Sequence, residues 1–487
     1  MLSTSFLYFP VNILSFSFGT VIGWPAPSQP QLQAEVTPIG TPPLSDDTIS
    51  WLAAVMCFGT MGGTLLFGWL ADRLGRKIAG LIAALPCLAG WLTMVLADQP
   101  VWLYVSRVLS GLGGGGSLVV CPLYVGEMAE DSVRGSLGCL FSICSTAGIL
   151  FAFIVGSFVS FRTFAIICLI VPALFFVLFL GLPDSPVFLL SKGRILSAVK
   201  ALRWLRGGDE AFADDEMSKM VADLKMASPE RNSGALRELF LTRTGRHGLI
   251  VVLALFTVQQ FCGVIAIINF TVDIFEEAGS SVAPTTATII IGGLQLIGVC
   301  ASSVVVDRAG RRILLIASCL GMSACLLVLG GCFYAKDSGL PLDNVGWLPV
   351  TALSIFIVVY ALGLGPLPFV ILSEVCLPRV RSLATSISIT WASILAFLVT
   401  KFFSNLSEAI GEYGAMWGFA ACCMIGALFT WFFIPETRGR PLEDVLRELG
   451  GRKVPAAPKR PPSLAIFSPP DEFAYTRADD DQVEVPL

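Results

Sequence analysis

Twelve apolar stretches, most of them about 20 residues or longer, recur along this chain and leave few folds open to it. They lie at approximately 5–24, 47–70, 78–97, 101–126, 134–157, 163–182, 248–275, 284–306, 312–334, 348–373, 382–404 and 414–434. A helix needs roughly 20 apolar residues to cross a hydrocarbon core about 30 Å thick. Lipid offers the backbone no hydrogen bonds, so such stretches predict helices that pair their own backbone groups. We therefore predict an all-α polytopic membrane protein with twelve transmembrane helices.

The composition argues against several other classes of protein. Of the 487 residues, 55% are hydrophobic and 14% are charged, whereas a soluble chain carries about 25% charged residues. A net charge of −4 argues against a nucleic-acid partner, which needs a concentrated basic face. The single histidine, His247, and the absence of HExxH, Walker lysine and triad motifs argue against an enzyme. The fourteen cysteines lie in apolar segments and indicate small core residues. We expect no metal and no cofactor.

Three short polar motifs each occur twice, in the same order in the two halves of the chain. The copies are Asp72–Lys77 and Asp307–Arg312, Glu127 with Arg134 and Glu374 with Arg381, and Pro183–Pro186 and Pro435–Arg438. The paired copies are 235, 247 and 252 residues apart. A nearly constant offset indicates a duplicated unit, and duplication inside an apolar chain is typical of transporters.

The duplication and the polar stretch between the halves define the expected domains. We predict two pseudo-symmetric six-helix halves at 1–182 and 248–434, with a cytoplasmic helical linker at 183–247. Within the linker, Ile195–Leu205 and Asp214–Met226 show helix-like spacing of apolar residues. The tail at 435–487 is cytoplasmic, and its part after residue 450 is rich in Pro and Asp without periodicity, which predicts that it is largely disordered.

The distribution of Lys and Arg predicts the orientation. The loops at 25–46, 98–100, 276–283 and 405–413 contain neither residue. Apart from Arg162, Lys336, Lys401 and the intramembrane Arg107, the other 28 of the 32 Lys and Arg residues fall on the opposite side. Basic residues favour the cytoplasmic side, so both termini are expected there. We expect the plasma membrane as the location. A sequon at Asn405 lies in a predicted outer loop.

Every copy of the repeated motifs falls at the predicted cytoplasmic end of a helix. Opposite charges on facing helix ends can pair when those ends meet, at about 0–1 kcal/mol per exposed pair, which suits a reversible gate. The alternative is that these residues only anchor the helix ends and keep them soluble. The candidate gate residues are Asp72, Arg73, Arg76, Glu127, Arg134, Asp307, Arg308, Arg311, Arg312, Glu374 and Arg381.

Polar residues at bilayer depth mark the expected binding site, because they are costly there unless they face a cavity or a partner. Predicted span seven carries Gln259, Gln260 and Asn269, and span eight carries Gln295. Amide groups both donate and accept hydrogen bonds, which suits sugar hydroxyls. The alternative is hydrogen bonding between helices. The prolines of Gly365–Pro368 remove backbone donors and must interrupt span ten.

Together these motifs resemble the sugar porter branch of the major facilitator superfamily over residues 5–445. The matching strings are Gly68–Lys77, Tyr124–Glu127 with Arg134–Gly135, Leu182–Pro186, Gln259–Gln260, Asp307–Arg312, Gly365–Pro368 and Pro435–Gly439. Within this branch the chain is most similar to the facilitated trehalose transporters of insects and the facilitative glucose transporters. The resemblance implies alternating access, in which the two halves rock about a midplane sugar site and the charged clusters close the inner mouth.

The resemblance also implies which residues bind the sugar and where this chain differs. Gln259, Gln260 and Gln295 stand at the sugar-binding amide positions of the family. The departures are Ser142 for a Gln, Ile265 for an Asn, Asn269–Phe270 for an aromatic pair, Phe369 for a Trp, and Ala392–Ser393 for Asn-Trp beside Trp391. These losses of hydrogen-bonding groups favour a larger, differently hydroxylated or less polar substrate, or a loss of transport. The candidate substrate-binding residues are Gln259, Gln260, Gln295, Asn269, Ser142 and Phe369.

The resemblance further bears on energy coupling. In proton-coupled sugar porters an acid in span one pairs with an Arg in span four, which Arg107 matches, but Val21 stands at the acid position. Facilitated uniport of a hexose or a trehalose-like disaccharide is therefore expected, by a chain that works as a monomer in the lipid bilayer. The alternatives are proton symport of a sugar or polyol, with coupling through Asp273, and a non-transporting sugar sensor.

Overall fold

All the secondary structure in the described part of the chain is α-helical. The computed structural model describes residues 2–129, 139–206, 216–218, 220–221, 239–272, 274, 283–339, 346–376, 381–434 and 436. In the first half the helices are α1 Leu2–Gly23, α2 Pro25–Leu32, α3 Asp46–Ala54, α4 Met56–Leu74, α5 Arg76–Leu96, α6 Pro100–Met128, α7 Leu140–Phe158 and α8 Phe161–Leu180. Two short helices follow, α9 Pro186–Ser191 and α10 Ile195–Leu205.

The second half repeats this arrangement of long apolar helices. They are α11 Arg243–Phe261, α12 Val264–Asn269, α13 Pro284–Ala309, α14 Arg311–Asp337, α15 Leu348–Leu362, α16 Leu367–Val375 and α17 Arg381–Phe433. Ten stretches of the described residues are long and apolar enough to cross a membrane. The 22-residue α1 covers the first predicted span, and the last of the ten stretches covers predicted spans eleven and twelve.

The join between those last two spans differs from the prediction. A loop was expected at 405–413, but α17 continues through it, and only Gly411 leaves the helical conformation, with φ 75° and ψ 157°. The predicted sequon at Asn405 therefore lies on a helix. The turn takes a single residue because glycine adopts positive φ without steric cost. Two spans can thus be separated without an intervening loop.

Small residues let the helices of the first half approach closely. In the glycine-rich run of α6, a Cβ at Gly111 would lie 2.2 Å from the carbonyl oxygen of Met56 on α4. A Cβ at Gly113 would lie 2.2 Å from Cys87 Sγ on α5. Neither approach leaves room for a side chain, so the run packs α6 against both neighbours.

The expected linker helix forms over Ile195–Leu205, with the predicted bounds. Its buried residues pack with those of α9 and Met217 in a small separate core. Arg206, directly after α10, holds Glu216 through Nη2 at 2.7 Å and Nε at 2.8 Å. The second predicted helix, over Asp214–Met226, lies largely outside the described residues, as do 435 and 437–487 of the tail.

Candidate functional site

A cavity of about 260 Å³ lies at the centre of the bundle, between helices of the two halves. Residues of α1, α3, α4, α6 and α7 line one side, and residues of α11–α13 and α15–α17 line the other. The structure brings all the candidate substrate-binding residues to this one cavity: Ser142, Gln259, Gln260, Asn269, Gln295 and Phe369. Most of the remaining lining is apolar, with Thr60, Arg107, Ser145, Thr146, Tyr360, Ser393 and Thr400 as polar or hydroxyl-bearing members.

Two of the amide side chains keep an unused hydrogen-bond acceptor in the cavity wall. Gln260 is 8% exposed and Gln295 is 5% exposed. The Oε1 atoms of both are buried and have no hydrogen-bond partner among the described residues. A buried acceptor without a partner costs about 1–3 kcal/mol. These two oxygens are therefore suited to receive donors from a bound hydroxylated molecule.

Gln259 is arranged differently from its neighbour. Its Nε2 donates to the carbonyl oxygens of Leu364 at 3.0 Å and Gly365 at 2.8 Å. Those carbonyls belong to the segment between α15 and α16, where helical pairing stops at Gly363 and resumes after Pro366. The Gln259 side chain thus satisfies acceptors that the helix break leaves over. Both of its N–H donors are engaged within the protein.

Other side chains complete the helix break. Ser318 Oγ donates to Val359 O at 2.9 Å and accepts from Leu364 N at 3.1 Å. Ser302 Oγ donates to Leu362 O at 3.2 Å. The break predicted from the prolines is confirmed, and it is fixed from α11, α13 and α14 together. The backbone at this point of the cavity wall is therefore held rigidly.

A second break separates α11 from α12 beside the cavity. Gly263 has φ 82° and ψ 3°, a left-handed conformation. A Cβ at this position would also lie 2.4 Å from the ring of Phe419. Both the backbone conformation and the space therefore require glycine. The break turns the chain between Gln260 on α11 and Asn269 on α12, which both reach the cavity.

The aromatic residues near the site divide into two groups. Phe369 lines the cavity and packs edge-on against Phe256, with ring centroids 5.0 Å apart. Trp391 instead donates its Nε1 hydrogen to Thr257 Oγ1 at 2.9 Å, tying α17 to α11. It is absent from the described cavity lining. Tyr360, which the sequence did not indicate, provides a second ring in the wall.

Arg107 is a fully buried cation that borders the cavity, at 2% exposure. Its Nε donates to Leu52 O at 3.0 Å and its Nη1 to Val21 O at 2.6 Å. The guanidinium also lies 5.0 Å from the ring centroid of Trp24. Within the described residues it makes no ion pair. Backbone carbonyls and an aromatic face therefore stabilise the charge where proton-coupled relatives are expected to use an acid.

At one end of the bundle, called the charged end below, the first copies of the repeated motifs form one cluster. Arg76 donates to Glu127 Oε1 through Nη2 at 2.7 Å and Nε at 3.0 Å. Asp184 Oδ1 accepts from the backbone nitrogens of Arg76 at 3.0 Å and Lys77 at 3.1 Å, at the start of α5. The acid of the third motif therefore caps the helix that begins in the first motif.

The second copies at the charged end repeat the same contacts. Arg311 Nη2 lies 3.3 Å from Glu374 Oε1. Glu436 accepts from the backbone nitrogens of Arg311 at 3.0 Å and Arg312 at 3.3 Å, at the start of α14. In both copies the arginine also donates to the carbonyl five residues earlier, that of Ala71 or Val306. The duplication therefore extends to individual hydrogen bonds.

The other predicted gate residues have mixed outcomes. Asp72, Arg73 and Arg308 are exposed at the charged end, and Asp72 lies 3.6 Å from Arg76. Arg312 donates to Trp431 O. The side chains of Asp307 and Arg381, and Arg134 and Asp273 as a whole, lie outside the described residues. The two ion pairs described between helices at this end each join helices of one half.

The chain matches the family model "Sugar (and other) transporter" over residues 9–449. It belongs to this family. The chain is 34% identical over 409 residues to facilitated trehalose transporter Tret1 of Culex quinquefasciatus, covering 84% of this chain and 79% of that protein. Tret1 of Aedes aegypti is also 34% identical over 409 residues, which span only 50% of its length.

The fold also matches solved structures. The proton:xylose symporter XylE bound to 6-bromo-6-deoxy-D-glucose superimposes with a TM-score of 0.73, covering 91% of this chain and 99% of that one at 22% identity. The inward-open XylE of E. coli gives a TM-score of 0.72 at 21% identity. The chain therefore has the major facilitator fold, as the sequence predicted. Its membership of the sugar transporter family makes it a multi-pass membrane transporter and not an enzyme.

Proposed function

We propose that this protein is a facilitative carrier, a uniporter, that moves a hexose or a trehalose-like disaccharide across the plasma membrane by alternating access. The observation that carries the proposal is the pair of unpartnered amide oxygens, Gln260 Oε1 and Gln295 Oε1, in the wall of the central cavity. Sugar hydroxyls supply the donors that these acceptors lack. The facilitated trehalose transporters among the relatives support the same class of substrate.

The apolar surface of the cavity suits a ring-shaped substrate with one hydrophobic face. Phe369 and Tyr360 present aromatic surface, and Ser142 with Ser145 provides hydroxyls on the opposite wall. The substrate lies between the two halves, so rocking of the halves exposes it to one side at a time. The charged end faces the cytoplasm and closes the inner mouth, in keeping with the distribution of basic residues.

Uniport rather than proton symport is favoured by the surroundings of Arg107. The described lining of the cavity contains no carboxylate, and Arg107 is bound by the carbonyls of Val21 and Leu52. A symporter needs an ionisable group that releases and takes up a proton during the cycle. Because the described lining places no acid beside Arg107, we infer that the concentration gradient of the substrate alone drives its movement.

Uptake into proteoliposomes tests the proposal. Labelled trehalose and labelled glucose are offered in separate experiments, with and without an inward proton gradient. We expect at least one sugar to enter until its internal and external concentrations are equal, at a level that the gradient does not change. Accumulation above equilibrium that collapses with a protonophore would establish the symporter instead. Protein that reaches the membrane but moves neither sugar, nor any hexose or disaccharide in a wider screen, would contradict the proposal.

A further inference from the structure

One basic side chain lies far from the charged end and joins the two halves. Lys401 on α17 is almost fully buried, with 7% of its side chain exposed. Its Nζ lies 2.5 Å from Asp47 Oδ1 and 3.0 Å from Ser50 Oγ, both on α3. The ammonium group is also 5.1 Å from the ring centroid of Trp51. Residues 354 positions apart in sequence therefore meet across the interface between the halves.

This contact is at the opposite end of the bundle from the repeated motifs. The rod formed by α3 and α4 begins at Asp46 and ends at Leu74, beside Asp72 and Arg73. At about 1.5 Å per residue, Asp47 lies more than 30 Å from that end. Lys401 is likewise twenty residues beyond the start of α17 at Arg381. The contact therefore joins the two halves at the end of the bundle that the charged clusters leave untouched.

Aromatic contacts extend the junction toward the cavity. Phe397 on α17 packs against Trp51, with ring centroids 5.9 Å apart, and against Phe58 on α4 at 4.4 Å. Phe397 is one turn before Lys401 on the same helix, and Ala396 and Thr400 beside it line the cavity. The ion pair and this aromatic layer thus join α3 and α4 of the first half to α17 of the second, next to cavity-lining residues of α17.

The two partners differ in a way that suits a reversible contact. The Asp47 side chain is 69% exposed, whereas Lys401 is nearly buried. When the halves separate, the carboxylate remains in water and only the ammonium group must be newly hydrated. Asp47 also lies in the first turn of α3, where the backbone N–H groups at the start of the helix favour a negative charge. Without Asp47, the buried ammonium would face those N–H groups unpaired.

We infer that Lys401 and Asp47 form a latch that holds the outer mouth of the cavity closed, and that must open for the carrier to receive substrate from outside. The inference rests on the alternating-access part of the proposed function. It assigns Lys401 as a positioning residue, because it acts on the equilibrium between states and touches no substrate. Breaking the latch therefore favours states open at this end.

Thiol accessibility tests the latch without any substrate. Ala396→Cys places a thiol in the cavity wall, and a membrane-impermeant maleimide is added to the outside of intact cells. Modification of the peptide that contains residue 396 is measured by mass spectrometry. We expect Lys401→Met and Asp47→Asn each to raise the labelling rate about fivefold, the factor for an ion pair worth roughly 1 kcal/mol. The double exchange Lys401→Asp with Asp47→Lys is expected to bring the rate back toward that of the starting protein.

Two controls make the result specific. Asp46→Asn removes the neighbouring acid, which binds Gln33 Nε2 at 2.6 Å rather than Lys401, and is expected to leave the labelling unchanged. Val36→Cys, at an 87% exposed position near this end, is expected to be labelled from outside intact cells, and its labelling only from the cytoplasmic side would overturn the placement of the latch at the outer mouth. Unchanged labelling in both Lys401→Met and Asp47→Asn would overturn the latch. Because no sugar is used, that result is distinguishable from a failure of sugar transport.

Discussion

The charged end and the central cavity differ in how closely the two halves of the duplicated chain match. At the charged end the two halves form equivalent contacts: the ion pair of Arg76 with Glu127 corresponds to that of Arg311 with Glu374. In the cavity the halves are unlike, because every amide in the described lining belongs to the second half. The first half provides hydroxyl groups and Arg107 instead. The matching geometry at the charged end suits a movement common to both halves, and the unlike cavity walls suit recognition of a substrate.

The largest expected effect on stability comes from replacing Gly75 and Gly310, the glycines that directly precede the capped helices α5 and α14. Gly75 has φ 100° and ψ 163°, and a Cβ there would lie 2.1 Å from Asp184 Oδ2. Gly75→Ala should lower the thermal stability of the protein in detergent by about 1–3 kcal/mol for the backbone conformation alone, and by more for the displaced cap. Gly310→Ala should behave similarly, since its Cβ would lie 2.9 Å from Glu436.

Gly193→Ala is the matched control for this prediction. Gly193 also has a positive φ, 73°, but a Cβ there meets nothing within 4 Å. Gly193→Ala should therefore lower the stability only by the cost of the strained backbone conformation. Equal losses of stability in Gly75→Ala and Gly193→Ala would show that the acid caps contribute nothing. The matching caps of the two clusters would then have no energetic role.

The next effect separates the two adjacent glutamines of the cavity. Gln259→Ala leaves the carbonyls of Leu364 and Gly365 without their donor and should lower stability by about 1–3 kcal/mol and abolish uptake. Gln260→Ala and Gln295→Ala should leave the melting temperature unchanged but weaken sugar uptake about tenfold, the effect of roughly 1.4 kcal/mol in binding. Thermal melting and concentration-dependent uptake measure the two effects. Wild-type affinity in both Gln260→Ala and Gln295→Ala would place the sugar elsewhere.

The repeated motifs show how much of this molecule follows from its sequence. The two copies of each motif predicted the clusters at the charged end, because local patterns repeated at a fixed offset must occupy equivalent places. The prolines of Gly365–Pro368 predicted the helix break for an equally local reason. Neither pattern showed that Asp184 and Glu436 would cap the starts of α5 and α14, since these caps depend on packing between distant segments.

Contacts between distant residues account for what the sequence did not predict. The pairing of Lys401 with Asp47 joins two unrelated helices, and the sequence marked Lys401 only as an exception to the charge distribution. The use of Gln259 as a support for the helix break required the position of Leu364 to be known. Trp391 stands beside the positions where the family has Asn-Trp, and only the structure shows that its indole binds Thr257 instead of entering the cavity.

A smaller effect is expected from the ion pairs of the charged end. Arg76 makes two hydrogen bonds to a Glu127 side chain that is 14% exposed, whereas Arg311 lies 3.3 Å from a Glu374 side chain that is 26% exposed. Each is expected to contribute about 1 kcal/mol or less. Arg76→Ala and Arg311→Ala should each loosen one half at this end and so favour states open there.

A cysteine at Ser386 measures that opening. Ser386 lies where the halves meet at the charged end, because a Cβ at Gly68 would be 3.9 Å from its Oγ. Its modification in inside-out vesicles should rise in both arginine variants, and Arg194→Ala, at an exposed arginine outside the predicted gate, serves as the control. Accessibility equal to that of the parent protein in both variants would argue that the clusters only stabilise each half.

The smallest expected effect on transport concerns Trp391. Trp391→Phe removes the hydrogen bond to Thr257 but keeps an aromatic ring, so stability should fall by about 0.5–1.5 kcal/mol. Sugar affinity should stay within twofold of the parent protein, because the indole group is outside the described cavity lining. Thr257→Val removes the same bond from the other side and should give the same result. A large loss of sugar affinity in Trp391→Phe but not in Thr257→Val would show that the indole group contacts the sugar.

Counterflow tests the central claim most directly. The claim is that the cavity between the two unlike walls opens alternately to each side of the membrane and so moves the sugar across. Proteoliposomes are loaded with unlabelled trehalose or glucose and diluted into a trace of the same labelled sugar. A carrier with this cavity predicts a transient rise of internal label above its equilibrium level, without any proton gradient, and a strongly reduced rise in Gln295→Ala. Saturable binding of the sugar at the cavity, with no counterflow in the parent protein, would contradict the account.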